Sequence, residues 1–146
     1  MRRTQLANGF ERTQGIPPKQ GPGPLFRQRW FHVFAYVALI FTLSAQPGLT
    51  VPGTFKYRDK LAHVLEYGGL GWLVYRAAVH SWPAAGALRR VLFTIVAVSA
   101  VGACDEKFQS FVPMRDSSVY DWMADTVGGS LAQVFCRVRE KRRGVA

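Results

Sequence analysis

Val91 to Cys104 is a run of fourteen residues without a charge, and it leads directly into Asp105-Glu106. From there the chain reads DEKFQSFVPMRDSSVYDWMADTVGGSLA as far as Ala132. That stretch is a polar run with Arg115, followed by a helix-like segment carrying Asp121 and Asp125 one turn apart. A helix as apolar as 91–104 has no polar face, so it must be buried on all sides or sit in hydrocarbon. Trp30 to Ala45, uncharged apart from His32, makes the same demand. A domain of 146 residues can hardly bury two such helices completely. Charges set against hydrocarbon-like sequence are expensive and usually mark function. The pattern predicts a small, all-α polytopic membrane protein with an acidic, His-containing site at one membrane face.

Charge distribution supports this class over a nucleic-acid reader. The net charge is +10, which alone would suit a polyanion. However, the two tails and the Arg76 to Arg90 connection hold 14 of the 19 Lys/Arg and only two acids, Glu11 and Glu140. The remaining segments hold five basic residues and seven acids. A nucleic-acid binder gathers its basic residues on one folded face, whereas alternation by segment follows membrane topology. No nucleic-acid partner is expected.

Residues 1–29 are polar and basic, and 15–24 read GIPPKQGPGP. Such a run resists helix formation and buries no core, so 1–29 is expected to be a disordered tail. It is a poor secretory signal, because its basic region is too long and no A-x-A site follows Ser44. Four transmembrane helices are expected, at about 30–46, 60–79, 90–105 and 118–138, ahead of a basic tail, 139–146. The apolar parts of the first and third rise only ~24 and ~21 Å, short of a ~30 Å hydrocarbon core. Pro47, Gly48, Pro52 and Gly53 break the chain before the second helix, Pro83 before the third and Pro113 before the fourth. Basic tails and a basic middle connection put both termini in the cytoplasm. The starts of the second and fourth helices and the 105–117 run then face outward. Cys104 and Cys136 fall near opposite faces and are expected to be free thiols.

The candidate site residues follow from this clustering. Asp59, His63, Glu66 with Tyr67, and Leu70 recur at i, i+4, i+7 and share one helix face. Asp105, Glu106, Gln109, Arg115, Ser118, Asp121 and Asp125 gather at the same face. Simpler roles compete. Asp59 can be an N-cap, Ser118-x-x-Asp121 a capping box, and Glu106 and Gln109 plain loop residues. Gly68, Gly69 and Gly71 fit close helix packing, within one chain or between chains, and Gly128 and Gly129 fit packing contacts.

Asp59-Lys60-x-x-His63-x-x-x-Tyr67 and Asp105-Glu106-x-x-Gln109-x-Phe111-x-Pro113-x-Arg115-x-x-Ser118-x-x-Asp121 resemble the signature of VanZ-like membrane proteins. The resemblance covers about residues 30–135, within an expected membrane domain of 30–138. The Asn usual in that family four residues after the motif Asp is Asp125 here, and a later Gly is Ala132. The resemblance implies a multi-pass protein of the bacterial cytoplasmic membrane, of a type linked to teicoplanin-class glycopeptide resistance. It carries over no agreed biochemical activity.

Three functional readings stay open. In the first, the protein binds or modulates an anionic lipid or cell-wall precursor through Arg115, Gln109, Tyr67, Ser118 and Asp125, since a guanidinium matches phosphate or carboxylate. In the second, it is a small intramembrane hydrolase or transferase on a lipid-linked substrate. His63 and Glu66 would then act as acid and base among Asp59, Asp105, Glu106 and Asp121. In the third, the polar residues only staple helices together. No Gly-rich phosphate loop, nucleophile elbow or HExxH motif occurs, and no cofactor is expected. His63-x-x-Glu66 has a helical metal-ligand spacing that Asp59, Glu106 or Asp121 could complete, so metal binding stays undecided.

Overall fold

The computed structural model describes residues 23–48 and 57–142. The Pro/Gly-rich run up to residue 22, part of the 46–60 loop, and residues 143–146 of the basic tail lie outside the described residues. Four helices follow one another: α1 (Pro24–Ser44), α2 (Arg58–Ser81), α3 (Ala87–Gln109) and α4 (Val119–Arg142). The all-α class holds, with no strand among the described residues.

Every helix outruns the apolar stretch that announced it. α1 starts at Pro24, six residues ahead of Trp30, because proline suits the first helical position and Arg27 to Arg29 tolerate helix. α3 extends through Asp105, Glu106 and Gln109, so these are helical residues and not part of a loop. A helix ends where capping or turn chemistry stops it, not where hydropathy changes. At 21 to 24 residues, the helices are about 32–36 Å long, enough to cross a hydrocarbon core. Of the described helices, only α3 is both long enough and apolar enough to cross a membrane by composition. The others carry charges along their length: Arg27 and Arg29 on α1, Asp59 to Arg76 on α2, Asp121 to Glu140 on α4.

The helices run up and down, which brings alternate ends together. At one end, Trp30 donates to the Ser81 hydroxyl (2.9 Å) and its ring meets Trp82 and Phe93. At the other, the end of α1 meets the end of α3 through Ser44 and Asp105, and the start of α2 meets the start of α4 through Lys60 and Asp121. Side-chain polarity is inverted relative to a soluble bundle. Among the described residues, nine polar or charged side chains are buried against ten hydrophobic ones. Phe31, Phe34, Leu65, Leu88 and Val96 meanwhile stand largely exposed.

The seam between α2 and α4 is made of glycines. A Cβ on Gly128 would run into the Val64 carbonyl, and one on Gly71 would sit 2.7 Å from Gly129 backbone atoms. Gly69 faces the Tyr36 hydroxyl of α1, so the glycines of α2 are spent on contacts within the chain. Both cysteines are free thiols. Backbone contact leaves nothing flexible to move aside, so overpacking there should cost about 1–3 kcal/mol. Gly128→Ala is expected to lower the midpoint of thermal unfolding in detergent. Gly86→Ala, with nothing within 4 Å of the added methyl, should leave it unchanged.

Candidate functional site

A cavity of about 410 Å³ opens where α2 and α4 begin and α3 ends. Asp59, His63, Gln109, Arg115, Ser118 and Asp121 line it, joined by Arg58, Lys60, Met114 and Asp116. Six of the expected site residues therefore meet around one space. Asp105, Glu106, Tyr67 and Asp125 lie buried behind it. Glu66 sits beside this cluster without taking part in its hydrogen bonds. It is half-buried, does not line the cavity, and its side chain makes no hydrogen bond to His63.

Each buried acid answers to a specific partner. His63 Nδ1 lies 2.8 Å from Asp125 Oδ1, bridging α2 and α4, so the imidazole pairs with Asp125 and not with Glu66. The Tyr67 ring stacks nearly parallel to His63, with centroids 6.5 Å apart. Its hydroxyl is buried near Asp105 without meeting good hydrogen-bond geometry. Asp105 Oδ2 accepts from the Ser44 hydroxyl and the Gln109 amide, both at 2.9 Å. In a low-dielectric interior, one unsatisfied carboxylate would cost several kcal/mol, so these partners hold α1 to α3 and α2 to α4.

The expected capping roles are corrected. Asp59 lies two residues inside α2, whose N-cap position is Tyr57, and no side-chain cap bond is formed there. At α4, the Ser118 hydroxyl accepts from the Tyr120 N–H (3.2 Å), as a cap should. The reciprocal half of the expected box is not supplied by Asp121. Glu106 of α3 reaches across and accepts from the Ser118 N–H at 2.7 Å. Its negative charge also sits favourably at a helix N-terminus. Asp121 is thereby released to pair with Lys60, 2.5 Å away. Sequence spacing suggests the local partner, and only the packing of α3 on α4 shows that a distant one has replaced it.

Ser44, Lys60 and Arg58 were not among the expected site residues. Ser44 is 4% exposed, and a hydroxyl ending an apolar run is the one signal that could have flagged it. In the turn after α3, Met114 adopts φ +62°, unusual for a residue with a side chain. It lies between Pro113 and Arg115, in the turn that brings Arg115 to the cavity.

Four antiparallel helices enclosing a buried cluster of acids, histidine and amides define a helical-bundle protein with a polar pocket at one end. A model of the VanZ/LLP1 family matches residues 25–140, most of the chain, and the protein belongs to that family. No curated protein and no solved structure matches it.

Replacing Glu106 by Ala should expose the Ser118 amide and cost about 1–3 kcal/mol. Glu106→Gln, which keeps an acceptor, should cost less. Hydrogen exchange at Ser118 checks this: the Ala variant should exchange faster than the Gln variant, and both faster than wild type.

Proposed function

We propose that this VanZ-family protein crosses the bacterial cytoplasmic membrane with all four helices, both termini inside. In this reading it binds an anionic lipid or cell-wall precursor at the outward cavity. The inverted polarity of the bundle supports the membrane reading, because exposed Phe and Leu around buried acids suit lipid and not water. The positive-inside pattern of the tails and the 76–90 connection supports the orientation. An aromatic cluster of Trp30, Trp82 and Phe93 at the opposite end fits the inner interface.

One observation carries the ligand class: Arg58 and Arg115 both line the cavity. Guanidinium groups at an opening match phosphate or carboxylate in bidentate fashion, and an ammonium does so less well. Vesicles containing a phosphate-headgroup lipid should retain the detergent-solubilised protein better than neutral vesicles. Arg115→Lys should weaken that retention about tenfold, the loss of roughly 1.4 kcal/mol expected when a forked contact is removed. Equal retention by both vesicle types would overturn the reading. The proposal extends to teicoplanin-type tolerance, read as the susceptibility of a host expressing wild type against one expressing Arg115→Lys.

A second reading rests on a different observation. His63 lines the cavity while Asp125 holds its Nδ1, the arrangement of a general base oriented by a carboxylate. In that case the acid–base pair is His63–Asp125, in place of His63–Glu66. Under this reading, turnover of a lipid-linked substrate should vanish in His63→Ala and persist in Glu66→Gln.

Orientation is checked separately. In a chain with both native cysteines replaced, Met114→Cys should react with a membrane-impermeant maleimide on intact cells, and Leu88→Cys should react only after lysis. Both side chains are exposed on the protein, so folding does not limit labelling.

A further inference from the structure

We propose that His63, Glu106 and Asp125 form a binding site for one divalent transition-metal cation, Zn²⁺ or Mn²⁺. The three come from α2, α3 and α4, and each offers a ligand atom within 4.8 Å of the other two. All are deeply buried, with Asp125 0%, Glu106 6% and His63 9% exposed. Their own hydrogen bonds leave two carboxylate oxygens over. Glu106 Oε2 takes the Ser118 amide and Asp125 Oδ1 takes His63, but Glu106 Oε1 and Asp125 Oδ2 are buried without any donor. A buried acceptor without a donor loses its hydration and regains nothing, and two beside one imidazole call for positive charge. Lys60 does not supply it, since its ammonium bonds to Asp121.

The histidine points the same way. Its Nδ1 lies 2.8 Å from Asp125 Oδ1, so an ion that replaces the proton between them meets an imidazole nitrogen and a carboxylate at once. One imidazole with two carboxylates, and no thiolate, suits Zn²⁺ or Mn²⁺ over Cu(I) or an iron–sulfur cluster. Because His63 also lines the open cavity, the ion has a way in. The site does not depend on the anion-binding reading, because neither Arg58 nor Arg115 belongs to it.

The experiment uses the full chain in detergent. It is loaded with Zn²⁺ or Mn²⁺, dialysed against metal-free buffer, and read by elemental analysis and thermal unfolding. Wild type is expected to keep one ion per chain and to unfold at higher temperature than the metal-free protein. Glu106→Gln and Asp125→Asn keep side-chain size and should each bind at least about tenfold more weakly. Circular dichroism confirms that these variants remain helical, and His63→Asn serves as a third removal if one does not. Asp59→Asn should bind as wild type does. Three results would each overturn the proposal: no retained ion in wild type, undiminished binding in the folded Glu106 and Asp125 variants, or loss in Asp59→Asn. The last would move the ion to Asp59, His63 and Asp121, which also lie within ligand distance of one another. Vesicle retention of wild type, measured in parallel, separates failure here from failure of the anion reading.

Discussion

A carboxylate taken out of water must find a partner or give up its charge, and this bundle hides four aspartates and glutamates in its interior at one end. The bond from Asp125 to His63 shows how the fold meets that demand: the partner comes from another helix. Asp105 with Ser44, Asp121 with Lys60, and Glu106 with the Ser118 amide repeat the solution. In the proposed lipid setting, hydrophobic burial gives little drive for helices to associate, so tight packing and polar contacts between helices carry the weight. The same residues that make the cavity chemically interesting thus tie α1, α3 and α4 around α2.

The small-residue seam complements this polar end. Gly71 and Gly128 let α2 and α4 approach until backbone meets backbone, which brings His63 within reach of Asp125. Gly102 does a related job on α3, where an added Cβ would sit 2.9 Å from Asp125 Oδ2. Small residues and acids therefore belong to one design: without close approach, the short aspartate side chain could not span the gap.

Much of this was readable from sequence. Charge sequestered between apolar runs located the site, and the two spaced motifs named most of its members and the family. Helix ends were less readable, because hydropathy reports how apolar a stretch is and says nothing of where its hydrogen bonds stop. Pro24 and Gln109 both lie beyond the apolar boundary for that reason. Partner choice was the least readable. Spacing along one helix offered Glu66 to His63 and Asp121 to Ser118, since both lie about a turn away. The structure pairs His63 with Asp125 and gives the Ser118 amide to Glu106, each from another helix. Local periodicity cannot rank a neighbour on the same helix against one brought by packing. Ser44 was overlooked on the same account, as nothing in α1 alone announces Asp105 opposite it.

The backbone-on-backbone seam also decides which parts can move. Side chains that interlock can slip by changing rotamer, but a peptide carbonyl lying against a glycine has no such freedom. α2 and α4 are therefore joined by contacts that no rotamer change can loosen, and they frame the cavity between their first turns. The turn carrying Met114 and Arg115 lies outside that frame, bounding the cavity with backbone that belongs to no helix.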